Sequence, residues 1–91
     1  MITALVLMNV VRGTVNDTAQ ALLAIPGVAE VYSVTGAYDL VAVLRLARYE
    51  ELADVVTGQM VAIAGIVRTE TLMAFKAYSR EDLEQAWDIG V

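Results

Sequence analysis

The chain contains no cysteine and no histidine, and only one of its 91 residues is proline. Their absence removes the usual transition-metal ligands and the commonest general base, which leaves little room for zinc chemistry or histidine-driven catalysis. Carboxylates alone could hold a hard cation. However, Glu50, Glu51 and Asp54, like Glu81, Asp82 and Glu84, read as solvated helix starts. No metal and no cofactor is therefore expected. Basic residues are also scarce: the six (Arg12, Arg45, Arg48, Arg68, Lys76, Arg80) are scattered, and the net charge is −5. Direct nucleic-acid binding relies on a concentrated basic face and is not expected here. The longest stretch without a charge, Val55 to Val67, is shorter than the roughly 18 to 20 residues that a bilayer span needs. Met1-Ile2-Thr3 leads straight into a strand pattern with no basic leader, and with the missing cysteines this fits a cytoplasmic protein.

What the chain does have is apolar side chain. Hydrophobic residues make up 58% of it, and the mean hydropathy is +0.61. A domain this small cannot hide so much apolar surface alone, so other copies of the chain are expected to cover part of it.

A repeat organises the sequence. A shift of 38 positions lays Ala24-Ile25-Pro26-Gly27-Val28 over Ala62-Ile63-Ala64-Gly65-Ile66, and Ile2 to Val11 over Leu40 to Tyr49. Each copy reads as strand, helix, strand. Ile2 to Val11 is apolar on both faces apart from Thr3 and Asn9, the pattern of a central strand. The first helix is expected to start near Thr14, with its hydroxyl capping the Asp17 amide, and to stop at Pro26-Gly27. Val28 to Thr35 alternates as strand two, and Leu40 to Leu46 returns as strand three. The second helix is expected over Tyr49 to Ala64, with Leu52, Val55, Val56, Met60 and Ile63 on its apolar face. Strand four is expected from Val67 to Tyr78, followed by a short helix after Ser79 carrying Leu83, Ala86 and Trp87. Right-handed crossovers then require a four-stranded antiparallel sheet, order 4-1-3-2, with both helices on one face. This is an α+β, ferredoxin-like βαββαβ fold. Its open face is expected to meet a second subunit as a sheet-on-sheet dimeric α/β sandwich.

Between strands two and three, Val34-Thr35-Gly36-Ala37-Tyr38-Asp39-Leu40 places a glycine turn and a lone carboxylate between apolar runs. Glycine permits the positive φ that such a connection demands and opens the backbone amides to a ligand. Asp39 could equally be a turn residue, its side chain bonded to nearby backbone.

The hairpin Thr35-Gly36-Ala37-Tyr38-Asp39, with the passage Gly65-Ile66-Val67-Arg68-Thr69-Glu70-Thr71 at the matching topological place, resembles the C-terminal effector (RAM) domain of the Lrp/AsnC family. The resemblance covers nearly the whole chain, with 1–79 as the ligand-binding domain and 80–91 as a helical extension. It implies an amino-acid effector bound between dimers, and dimers assembled into octameric or similar rings. Thr35, Gly36, Ala37, Tyr38 and Asp39 would form one wall of the pocket. Arg68, Thr69 and Thr71 are candidates for the opposing wall, which a neighbouring dimer could supply. An α-amino acid needs acceptors for its ammonium and donors for its carboxylate. Asp39 and backbone carbonyls suit the first, and amides near Gly36 with threonine hydroxyls suit the second.

In the family's transcription regulators a helix-turn-helix precedes this domain, whereas strand one here begins at Ile2. The expectation is a stand-alone effector domain without DNA binding, acting in regulation of amino-acid metabolism and able to co-assemble with full-length regulators. A small cofactor-free monooxygenase or isomerase on a dimeric ferredoxin-like barrel is the competing reading. It is disfavoured because only Asn9, Ser33, Arg45 and the tyrosines could furnish a polar interior. An ACT-type amino-acid domain shares the topology, but its ligand loop would fall at Arg12-Gly13-Thr14.

Overall fold

The computed structural model describes residues 1–80. The elements run β1 (Ile2–Val10), α1 (Val15–Leu23), β2 (Val28–Ser33), β3 (Leu40–Leu46), α2 (Tyr49–Ala53), a π-helical continuation of α2 (Asp54–Met60) and β4 (Ile66–Met73). The four strands form one antiparallel sheet in the order β2-β3-β1-β4, the expected order read from the other edge.

Strand alternation builds the core. Ala4, Val6 and Met8 of β1 and Leu40, Ala42, Leu44 and Leu46 of β3 are buried in one cluster with Leu22 of α1, Leu52 of α2 and Val55 and Met60 of the π-helical turn. Both helices therefore cover the same face of the sheet. The opposite face carries Leu5 and Leu7 of β1 beside Val41 and Val43 of β3, and Leu72 of β4 pairs with Leu5. Leu72 is 46% exposed there.

The repeat is visible in the backbone. Ile25 N donates to Leu22 O at 3.0 Å and Val28 N to Ile25 O at 3.1 Å; Ile63 N donates to Met60 O at 3.0 Å and Ile66 N to Ile63 O at 3.2 Å. The same two turns thus recur 38 positions on. Gly65 belongs to the second of them because space there is short. A Cβ at that position would run into the hydroxyl oxygen of buried Thr18 on α1.

Three details depart from expectation. Thr14 does not cap the Asp17 amide; its hydroxyl donates back to Val11 O at 2.6 Å. The second helix is α-helical for one turn and then π-helical. Three successive β-branched residues, Val55, Val56 and Thr57, lead into Gly58, a poor α-helical run. Thr57 also donates to Ala53 O at 2.5 Å, competing for a helix carbonyl. The apolar face survives the change, since Leu52, Val55 and Met60 are buried and Val56 and Ile63 pack against them. Strand β4 stops at Met73 instead of Tyr78: its last pair with β1 is Met73 with Ala4, after which only Ala74 N reaches Thr3 O. The expected last helix with Leu83, Ala86 and Trp87 lies outside the described residues.

Candidate functional site

The β2–β3 connection is anchored on three sides. Val34 N donates to Asp39 O at 3.0 Å, closing the hairpin. Gly36 at its tip has φ +108°, where a side chain is strained, and a Cβ there would meet nothing within 4 Å. The tip is therefore open. Its base is tied to β1: Asp39 N donates to Met8 O at 2.9 Å, and Asn9 Nδ2 donates to Ala37 O at 2.9 Å.

The Asp39 carboxylate completes the anchor. The register of β1 against β4 shifts between Asn9 and Val10, and the Val10 amide donates to Asp39 Oδ2 at 2.9 Å. An irregularity in the ladder is thus satisfied by a side chain from the hairpin. Among the described residues no donor reaches the other carboxylate oxygen.

Strand β4 supplies the third side. The Tyr38 phenol donates to the Glu70 carboxylate, and the Arg68 guanidinium stands 6.0 Å from the Tyr38 ring centroid, at the outer limit of a cation–π contact. The bond to Glu70 raises the Tyr38 phenol above its ordinary pKa, with burial and the carboxylate's charge adding to it.

Six of the eight expected site residues are therefore together: Thr35, Gly36, Ala37, Tyr38 and Asp39 in the hairpin, with Arg68 against it. Thr69 and Thr71 are not with them. They pair with Met8 and Val6, whose side chains are buried under the helices, so both threonines face the helical side of the sheet. Thr69 borders a cavity of about 240 Å3 that Arg68 also lines, with Val56, Met60 and Ile66, and Thr71 borders a separate cleft beside α2. Within one subunit the eight residues line two faces of β4.

Asn9 and Glu70 anchor the site without having been chosen for it. Their signals were present: Asn9 is a polar break in an otherwise apolar strand, and Glu70 sits between two expected site threonines. A second polar cluster marks the far end of the open face. Arg45 pairs with Glu30 at 3.3 Å, and the Tyr32 phenol donates to Glu30. The Tyr32 bond, followed by Arg45, holds the Glu30 carboxyl below its usual range. The Tyr32 phenol is raised in turn. Among the described residues no group of three or more carboxylates could hold a metal, and no helix is long and apolar enough to cross a membrane.

The sheet order and the helices on one face define a ferredoxin-like α+β domain. The family model described as the Lrp/AsnC ligand binding domain matches residues 3–83, and the chain belongs to that family. A crystal structure of TTHA0845 from Thermus thermophilus is 54% identical, with a TM-score of 0.83 over 88% of this chain and 100% of that one. The HTH-type transcriptional regulator FL11 of Pyrococcus furiosus is 32% identical over 85% of this chain and 50% of its own length. The feast or famine regulatory protein of M. tuberculosis, solved in complex with L-methionine, has a TM-score of 0.72 at 24% identity, over 88% of this chain and 54% of that one. The chain spans about half the length of the curated relatives it matches.

Proposed function

We propose that this domain binds a small α-amino acid at the hairpin end of its sheet. It works as an oligomeric effector module in the regulation of amino-acid metabolism, in the cytoplasm and without enzymatic activity. One observation carries the reading beyond family membership. The hairpin is locked to β1 and β4 by Asp39, Asn9 and Tyr38, while its tip at Gly36 stays open. A rigid base and an unobstructed tip form a pre-organised wall of backbone groups, with one carboxylate oxygen that no described residue donates to and that suits an ammonium.

The methionine bound by the mycobacterial relative supports an amino acid as the ligand class. The regulators among the relatives support a part in transcription control, with the domain co-assembling with full-length Lrp/AsnC proteins. Because Thr69 and Thr71 face away from the hairpin within one subunit, any pocket that uses all eight residues draws them from different subunits. Homo-oligomers, dimers building an octamer or similar ring, provide that geometry. A thermal-shift panel of the common amino acids tests the reading. A ligand at one hundred times its Kd adds about 2.7 kcal/mol to stability, equivalent to a rise of roughly ten degrees or more for a domain of this size. No shift with any member of the panel contradicts it.

A further inference from the structure

Two backbone irregularities border one cavity. On one side the second helix is π-helical from Asp54 to Met60. On the other, β4 carries a bulge: Asn9 of β1 pairs with Arg68 and Val10 with Ile66, so Val67 has no partner in that ladder. Between them lies the cavity of about 240 Å3, walled by Val56 and Met60 of the π-helical stretch, by Val61 just after it and by residues 66–69 of β4. Irregularities of both kinds are frequent beside functional sites, where a bulge re-aims a side chain. Strict alternation would send Arg68 and Thr69 to opposite faces; beside this bulge both line the same space.

The lining has one charged end and apolar walls. Met60 is buried, and Val56 and Ile66 pack against the core. Arg68 is the one charged residue among the described lining, and Thr69 adds a hydroxyl. No described carboxylate lies within ion-pairing distance of Arg68. Glu70, two residues on, is engaged by the Tyr38 phenol instead. The Tyr38 ring, 6.0 Å from the guanidinium, is a weak partner. A permanently charged fork of donors thus borders an apolar space without an anion of its own, and that fork matches a carboxylate. The volume falls below the roughly 300 Å3 at which pockets for drug-sized ligands begin, so the tail it admits is short.

We propose that this cavity binds a monocarboxylate with a short apolar tail, its carboxylate on Arg68 and Thr69 and its tail among Val56, Met60 and Ile66. No carboxylate among the described residues lines it, so the site does not call for an ammonium on the ligand. It lies within one subunit and goes beyond the amino-acid site proposed at the hairpin.

Calorimetric titration and thermal melts with isovalerate, and with isovaleramide as the uncharged control, test this in the wild type, Arg68→Gln and Val61→Asp. Arg68 and Val61 are both exposed, so the variants should keep wild-type circular dichroism. Val61→Asp sets an anion at the rim, where it repels the ligand and competes for the guanidinium. The expected result is saturable binding and a raised Tm with millimolar isovalerate in the wild type. Affinity should be about tenfold or more weaker in Arg68→Gln and Val61→Asp, and in the wild type for the amide. Absence of binding to the wild type overturns the proposal, and so does equal affinity in Arg68→Gln or for the amide. Because isovalerate carries no ammonium, none of these results decides the hairpin reading, which rests on amino-acid titration of Asp39→Asn.

Discussion

The amide of Val10 and the carboxylate of Asp39 meet at 2.9 Å, although 29 positions separate them in the chain. The bond joins the one register shift of the central strand to the base of the hairpin. It gives Asp39 a structural duty through Oδ2, and the proposed ligand contact falls to its second oxygen. The two duties can be separated. Asp39→Ala leaves the Val10 amide unsatisfied in a half-buried place and should cost about 1 to 2 kcal/mol, a fall of several degrees in Tm. Asp39→Asn retains an acceptor oxygen for that amide and should stay within about 0.5 kcal/mol of wild type. Urea unfolding of the three proteins measures this, and equal midpoints for wild type and Asp39→Ala would contradict the structural half of the account.

Gly36 is open in space and strained in conformation. Because a Cβ there meets nothing within 4 Å, Gly36→Val loses stability through backbone strain at φ +108°, by roughly 1 to 3 kcal/mol. Gly36→Asn, which tolerates positive φ better, should lose less. A thermal melt that ranks Val no worse than Asn would show that the turn relaxes freely.

Gly65 presents the opposite case. Its missing Cβ makes room for the Thr18 hydroxyl oxygen, so Gly65→Ala is expected to destabilise by about 1 to 3 kcal/mol through overpacking. Thr18→Ala removes the obstructing atom. The double variant should therefore be less destabilised than the two single costs added together, and a double-mutant cycle reads the coupling. Strict additivity would mean that Gly65 is needed for its backbone and not for the close approach.

Tyr38 and Tyr32 each donate to a carboxylate and have raised pKa values. A group whose pKa is higher folded than unfolded adds stability that is complete below the unfolded value. That stability is lost as pH rises through the folded one. The chain should accordingly lose stability above about pH 10, and Tyr38→Phe should flatten that loss. Tyrosinate absorbance in the near ultraviolet checks the origin, since each Phe variant should remove a component that ionises late. Glu30 works in the other direction: its lowered pKa contributes stability above the unfolded value, lost as pH falls through the folded one.

Much of this was readable in the chain because the signals were periodic. The alternation of Ala4, Val6 and Met8 with Leu5 and Leu7 marks a central strand, and the 38-residue repeat sets the sheet order through two equivalent crossovers. The failures are local and physical. Apolar spacing over two turns does not distinguish an α-helix from a slightly wider π-helix, so the π-helical stretch after Ala53 was invisible. The end of β4 is set by where its ladder with β1 stops, at Met73 and Ala4, which no property of Ala74 to Tyr78 reveals. In the site, strict alternation already placed Arg68 and Thr69 on opposite faces. The Val10 to Asp39 bond was hidden, because it depends on a register shift that only the paired strands show.

Calorimetric titration of the wild type and Asp39→Asn, with the best amino acid from the thermal panel, tests the central claim most directly. Asp39→Asn keeps the bond to Val10 and removes only the charge that would face an ammonium, a contact worth roughly 1.5 to 3 kcal/mol. The account predicts matched assembly and an affinity about tenfold to a hundredfold weaker in Asp39→Asn. Equal affinities in matched assemblies would contradict it and confine Asp39 to holding the hairpin on β1.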